Sequence, residues 1–197
     1  MMVTTALAPR RTLVDAAFQG QSLAYQIALL LAGSLLVAAM AQLAIPLPFT
    51  PVPLTGQTYA VLLIGAVLGS RRGALALLAY IFEGGVGLPF LAGATSGWPI
   101  GRPTGGYLLG FVVAAFVVGW LAERDWDRRF ITAVAAMAIG QLVIYAAGLS
   151  WLAMYVGADM VLPMGLLPFL PGDVVKLLLA AATLPLAWEV LGRRRST

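Results

Sequence analysis

Pro168-Phe169-Leu170-Pro171-Gly172-Asp173-Val174-Val175-Lys176 is the stretch from which the rest of the chain is best read. It places the only lysine of a 197-residue chain three positions after an aspartate, at the head of an otherwise uncharged apolar run. Residues three apart share a helix face, so Asp173 and Lys176 project the same way. Pro171 and Gly172 break the chain just before, and Asp173 falls where a helix start favours a carboxylate. One reading is a capping aspartate with a local ion pair. The other starts from the position of Lys176 inside an apolar helix, where a charge is costly unless it faces a cavity and a partner. An acceptor and a donor facing one cavity suit a small polar ligand.

Composition sets the class. The chain is 61% hydrophobic and 10% charged, with a mean hydropathy of +0.94, whereas soluble domains carry about a quarter charged residues. This predicts an all-α integral membrane protein. The net charge of +4 comes from short arginine clusters between apolar spans, which membrane topology explains without a nucleic-acid partner. There is no cysteine and no histidine, so thiol catalysis, iron–sulfur ligation and the usual general base are absent. No cofactor, metal site or catalytic residue is expected.

Outward from helix 6 (Gly172 to Leu191, with a kink expected at Pro185), the pattern predicts five more spans. Helix 1 runs from about Ala24 to Ile45, too long for a signal-peptide core and long enough to cross. Its alanines at 24, 28 and 32 form a small-xxx-small stripe, suited either to internal packing or to docking a partner helix. Four prolines between Pro46 and Gln57 exclude regular helix, so that segment is expected to line a cavity or be buried. Thr58–Gly69 and Gly73–Phe82 are short spans, read as a hairpin turning at Ser70-Arg71-Arg72. Short or Gly/Pro-interrupted spans point to a transporter binding site. Helix 4 covers about Gly105 to Ala122, with open backbone N–H groups expected at Gly105 and Gly106. Helix 5 covers about Phe130 to Gly148, with Gln141 and Tyr145 as polar handles. A third long loop is expected from Leu149 to Pro171, its Trp151 and Tyr155 at the membrane interface. No G-x-x-x-x-G-K-[ST] phosphate loop occurs.

Six spans put both termini on one side. Arg10, Arg11, Arg71, Arg72, Arg124, Arg128, Arg129 and Arg193 to Arg195 fall there, leaving Arg102 and Lys176 opposite. The side of the termini is therefore predicted to be cytoplasmic, with residues 1–23 a cytoplasmic segment, 24–191 the transmembrane domain and 192–197 a basic tail. A cavity open to the outside, holding Glu83, Arg102, Asp173 and Lys176, follows as an expectation.

The motifs Pro51-Val52-Pro53-Leu54-Thr55-Gly56-Gln57-Thr58, Glu83-Gly84-Gly85-Val86-Gly87-Leu88-Pro89-Phe90, Pro103-Thr104-Gly105-Gly106-Tyr107-Leu108 and Gly172-Asp173-Val174-Val175-Lys176 resemble the BioY family. Its members are the biotin-binding S components of energy-coupling factor (ECF) transporters. The resemblance covers about Ala24 to Leu191 and departs at Arg102, where glycine is the family expectation. It implies an S-component-like fold with long extracytoplasmic loops, in the cytoplasmic membrane of a prokaryote. It also implies biotin as ligand, and as partners a transmembrane T component and two cytoplasmic ATPase subunits. Some family members are thought to lack a dedicated energising module. On this reading Asp173 and Glu83 accept from ureido N–H groups, and Lys176 or Arg102 donates to the ureido oxygen or the carboxylate. Thr55, Gln57 and Tyr107 are further polar contacts, Phe90 and Trp98 wall the rings, and Ala24, Ala28 and Ala32 dock the T component. An S component for another vitamin and a small intramembrane enzyme using Glu83 or Asp173 are the alternatives.

Overall fold

The computed structural model describes residues 12–18 and 22–195, with side chains to Gly192. Arg10, Arg11 and the side chains of Arg193, Arg194 and Arg195 lie outside the described residues. The chain is helical: α1 (Leu13–Ala17), α2 (Leu23–Gln42), α3 (Gln57–Leu68), α4 (Ser70–Gly85), α5 (Gly105–Ala122), α6 (Phe130–Val156), α7 (Ala158–Gly165) and α8 (Leu170–Arg195). Four of these, α2, α5, α6 and α8, are long and apolar enough to cross a membrane.

The hub is α5, which packs against α3, α4 and α6. Two thirds of its apolar window is buried, against about a fifth for α2 and α8, whose open faces are left for lipid or a partner. Small residues make the close packing at the hub. A Cβ at Gly65 of α3 would stand 2.6 Å from the Ala115 carbonyl oxygen of α5, and one at Gly119 would stand 2.4 Å from the backbone of Gly69.

The α3–α4 hairpin turns at Gly69 alone, whose φ of +86° is natural only for glycine. This corrects the expected turn at Ser70-Arg71-Arg72: these residues form the first turn of α4. Glu123 at the end of α5 accepts from the Ser70 N–H at 2.7 Å and from its hydroxyl at 2.8 Å, satisfying donors that a helix start leaves open. Arg72 pairs with Asp15 at 2.6 Å, fastening α1 to the same end.

At the opposite end the proline-rich segment is a small hairpin. Strand β1 (Ala44–Ile45) pairs antiparallel with β2 (Leu54–Thr55), Ala44 facing Thr55 and Ile45 facing Leu54. The Thr50 hydroxyl donates to the Met164 carbonyl at 2.7 Å, tying its tip to α7. The expected loop from Leu149 to Pro171 is instead mostly helix. Nothing between Gly148 and Val156 breaks α6, which continues to Gly157, where φ is +81°, and α7 follows at once. Helix α8 begins at Leu170, so Pro171 and Gly172 sit in its first turn, where the missing proline N–H costs no intrahelical bond.

Candidate ligand-binding site

Asp173, in the first turn of α8, projects between α3 and α6 and is 5% exposed. Four donors from three helices converge on its carboxylate. Oδ1 accepts from Lys176 Nζ at 2.5 Å and from the Thr58 hydroxyl at 3.2 Å. Oδ2 accepts from Gln141 Nε2 at 2.9 Å and from the Tyr145 hydroxyl at 2.5 Å. A carboxylate has about four acceptor positions, so all are used. The Lys176 ammonium also donates to the Thr55 carbonyl at 2.8 Å. Two of its three N–H groups are thus engaged and one remains for the cavity.

Around this centre lies a cavity of about 310 Å³, within the range of small-molecule sites. Leu108, Phe111, Ile144 and Phe169 supply apolar wall, and the proline-rich hairpin covers it through Pro51, Val52 and Pro53. Gln57 enters from the head of α3. Its amide is held between the buried Tyr80 hydroxyl at 2.7 Å and the Thr55 hydroxyl at 3.1 Å.

Tyr107 lines the cavity from α5, its hydroxyl donating to the Gly165 carbonyl at 2.8 Å. Its ring lies where a Cβ on Gly148 would be, 2.4 Å from the ring carbons, so α6 passes close because that residue is glycine. Gly105 and Gly106 serve the same purpose. A Cβ on Gly106 would lie 2.2 Å from Trp151 Cβ, and the Gly105 N–H is bonded to the Arg102 carbonyl. Those glycines are explained by helix packing, which corrects the expectation of N–H groups held open at Gly105. Trp151 also holds the α4–α5 connection, its indole N–H donating to the Arg102 carbonyl at 2.9 Å.

Arg102 lines the cavity from the α4–α5 connection, its guanidinium donating to the Ser96 carbonyl. Among the described residues it is the one cavity-lining cation without a carboxylate partner.

Of the residues singled out in the sequence, Asp173, Lys176, Arg102, Gln57, Thr55 and Tyr107 line this cavity. Glu83, Phe90 and Trp98 do not. Glu83 lies between α2 and α4, where the buried Ser34 hydroxyl is 3.1 Å from its Oε1. Trp98 packs edge-on against Phe82, ring centroids 6.1 Å apart, and covers Gly85. Phe90 packs on the hydrophobic core, its carbonyl accepting from Gln42. Charge and aromaticity in adjoining loops suggest all three for the cavity, but the end of α4 that carries Glu83 faces α2 instead. Nothing in the sequence marks Thr58 as a site residue, and Gln141 and Tyr145 read there only as polar residues in an apolar helix. They lie four apart, hence on one face, which was the signal available for a shared target.

The BioY family profile matches residues 10–193. The biotin transporter BioY of Rhizobium etli is 40% identical over 146 residues, 70% of this chain and 78% of that protein. The BioY of Rhodobacter capsulatus is 44% identical over 148 residues, covering 68% and 76%, and that of Thermotoga maritima 39% over 139 residues, covering 70% and 81%. Among solved structures, the S component for biotin from an ECF-type ABC transporter superposes with a TM-score of 0.73 at 22% identity, over 90% of this chain and 96% of that one. With a hydrogen-bonded cavity inside a fold of this kind, and relatives matching over most of both chains, this protein belongs to the BioY family.

Proposed function

We infer that this chain captures and takes up biotin as the membrane-embedded S component of an ECF-type transporter. The observation that carries the reading is the Asp173 centre at one side of a cavity that has Arg102 on the α4–α5 connection. Biotin has a ureido group with two N–H donors and one carbonyl at one end and a carboxylate at the other. The ureido N–H groups face Asp173 and Gln141, and the ureido oxygen accepts the remaining Lys176 N–H. The carboxylate meets Arg102, while Phe111, Ile144 and Phe169 cover the rings. Glu83, Phe90 and Trp98 are left out of this assignment.

The rival readings fit less well. A cationic vitamin would find the Asp173 charge already matched by Lys176, and a carboxylate saturated with four donors is poorly poised as a general base. The family is one of transporters, not enzymes.

In the membrane we assign six spans, α2, α3, α4, α5, α6 and α8, within a domain of residues 24–191. Helices α3 and α4 measure about 18 and 24 Å at 1.5 Å per residue, short of a hydrocarbon core of about 30 Å. The β hairpin and the 86–104 connection supply the missing depth. Arg71, Arg72, Arg124, Arg128 and Arg129 share the end that carries α1, so that end, with residues 1–23 and 192–197, faces the cytoplasm of a prokaryote. The cavity opens outward across the cytoplasmic membrane. Ala24, Ala28 and Ala32 are exposed on α2, which suits docking of a T component that couples the chain to two ATPase subunits.

Uptake is the test. A biotin-requiring bacterial host without its own importer should grow on trace biotin when it expresses this chain with an energising module, and should not be helped to take up riboflavin or thiamin. Rescue for another vitamin alone would overturn the assignment. Topology is checked in the same cells: Arg71→Cys should be labelled only from the cytoplasm and Ile100→Cys only from outside.

A further inference from the structure

A second groove, of about 300 Å³, adjoins the cavity and takes no part in the placement of biotin given above. Pro51, Pro53, Ala92 and Thr95 line both spaces, and Ala44 and Leu47 line the groove alone. We propose that this groove receives the alkyl arm of an N-substituted biotin amide, so that the chain binds biotin joined to an amine as well as the free acid. The proposal rests on the biotin reading above.

The chemistry of the lining selects the occupant. Among the described residues no charged one lines the groove, so a carboxylate finds no partner there. Its two hydroxyls are engaged: Thr50 donates to the Met164 carbonyl at 2.7 Å and accepts from the Val52 N–H at 3.2 Å, and Thr95 donates to the Ala92 carbonyl at 3.0 Å. What remains is apolar wall, on which each methylene removed from water is favourable.

The position of the junction selects which end of the ligand enters. All four shared residues belong to the proline-rich hairpin or to residues 92–95. None of the groups around Asp173 lines the groove. In the proposed pose a ligand with its ureido ring at Asp173 has its tail toward the junction. There the two routes divide by charge. A free carboxylate goes to Arg102, which lines only the main cavity. An uncharged amide gains nothing comparable from Arg102, and its arm lies along Leu47 and Ala44. Among the described residues no hydrogen bond ties 46–53 to 92–95.

The experiment is displacement of radiolabelled biotin from the purified protein in lipid nanodiscs, by biotin, biotin N-propylamide and biotin N-butylamide. Both amides should displace the label at concentrations within about tenfold of biotin itself. Ala44→Phe and the milder Ala44→Leu place bulk in the groove from a position that lines it and does not line the main cavity. They should raise the concentration of amide needed by at least about tenfold for phenylalanine, while that of biotin moves less than about threefold. Retained biotin binding shows that each variant is folded. Amides that fail to displace label from the unaltered protein would overturn the proposal and leave the groove to lipid. So would amide displacement that both substitutions leave unchanged, or equal loss of acid and amide in both variants. If labelled biotin does not bind the unaltered protein, the reading of the main cavity fails and this proposal with it, a result distinct from selective failure of the amides.

Discussion

Lys176 Nζ lies 2.5 Å from Oδ1 of Asp173, one turn earlier on α8, with the two side chains 17% and 7% exposed. Removing one member of a buried pair leaves an uncompensated charge, at a cost on the order of 3–5 kcal/mol. Asp173→Asn should therefore weaken biotin binding at least about tenfold, or 1.4 kcal/mol, and lower the thermal midpoint. Lys176→Met should do the same by leaving Asp173 with three neutral donors. Near-unchanged affinity in both purified variants would reduce the pair to a helix cap with a local ion pair.

Because four donors already occupy the Asp173 carboxylate, a ligand N–H must displace one of them. The Thr58 hydroxyl, at 3.2 Å, is the longest contact, and the Tyr145 hydroxyl, at 2.5 Å, is among the shortest. Thr58→Val should leave biotin affinity within about threefold or improve it. Tyr145→Phe removes a bond to a charged group, worth about 1.5–3 kcal/mol, and should weaken binding at least about tenfold. Equal losses in titration calorimetry would show that Thr58 is not the displaced donor.

The difference between these two residues reflects what the sequence discloses. Charge in an apolar chain is conspicuous, so Asp173 and Lys176 were legible at once, and Arg102 by its place outside the arginine clusters. Thr58, Gln141 and Tyr145 are uncharged, and only the packing of α3 and α6 against α8 brings them to one carboxylate. Glu83 shows the converse. Its charge and its glycine-rich neighbours suggested the cavity, but the direction in which the end of α4 faces was not written in that segment. Helix α5 was readable to the residue, because Gly105 and Ala122 are bounded by turn residues and charges. The extension of α6 was hidden, since Leu149–Val156 is equally compatible with an apolar loop until its partners, Trp151 against Gly106 above all, are known.

Asp127, in the α5–α6 connection, is 1% exposed. Oδ2 accepts from the Trp188 indole N–H at 2.6 Å, and Oδ1 is buried without a side-chain partner among the described residues. Burial raises its pKa, opposed by the Trp188 bond and by Arg128. With the folded value raised above the unfolded one, the native state binds the proton more tightly, so this group's contribution to stability falls as pH rises through the folded pKa. Asp127→Asn keeps an acceptor for Trp188 without the charge. It should hold or raise the thermal midpoint at neutral pH and flatten its dependence on pH in the acid range. Asp127→Ala should lower the midpoint by stranding the indole N–H, at about 1–3 kcal/mol. A lower midpoint for the asparagine variant at neutral pH would contradict this.

Ala24, Ala28 and Ala32 are exposed on α2, so internal packing does not account for their size. Helix association in lipid depends on backbone approach at small residues. Ala28→Trp should abolish co-purification with the energising subunits and stop uptake, while biotin affinity stays within about threefold, or 0.65 kcal/mol. Ala24→Trp and Ala32→Trp bracket the register. Assembly unaffected in all three would remove the stripe from the docking surface.

The central claim is that one biotin molecule occupies the cavity around Asp173. Its most direct test is a biotin titration of the purified chain, run beside Asp173→Asn. The account predicts saturable one-to-one binding with a Kd below about 1 μM, or 8.2 kcal/mol. It also predicts no displacement by riboflavin or thiamin and at least about a tenfold loss in the variant. Absence of saturable biotin binding, or equal affinity in the two proteins, would contradict it.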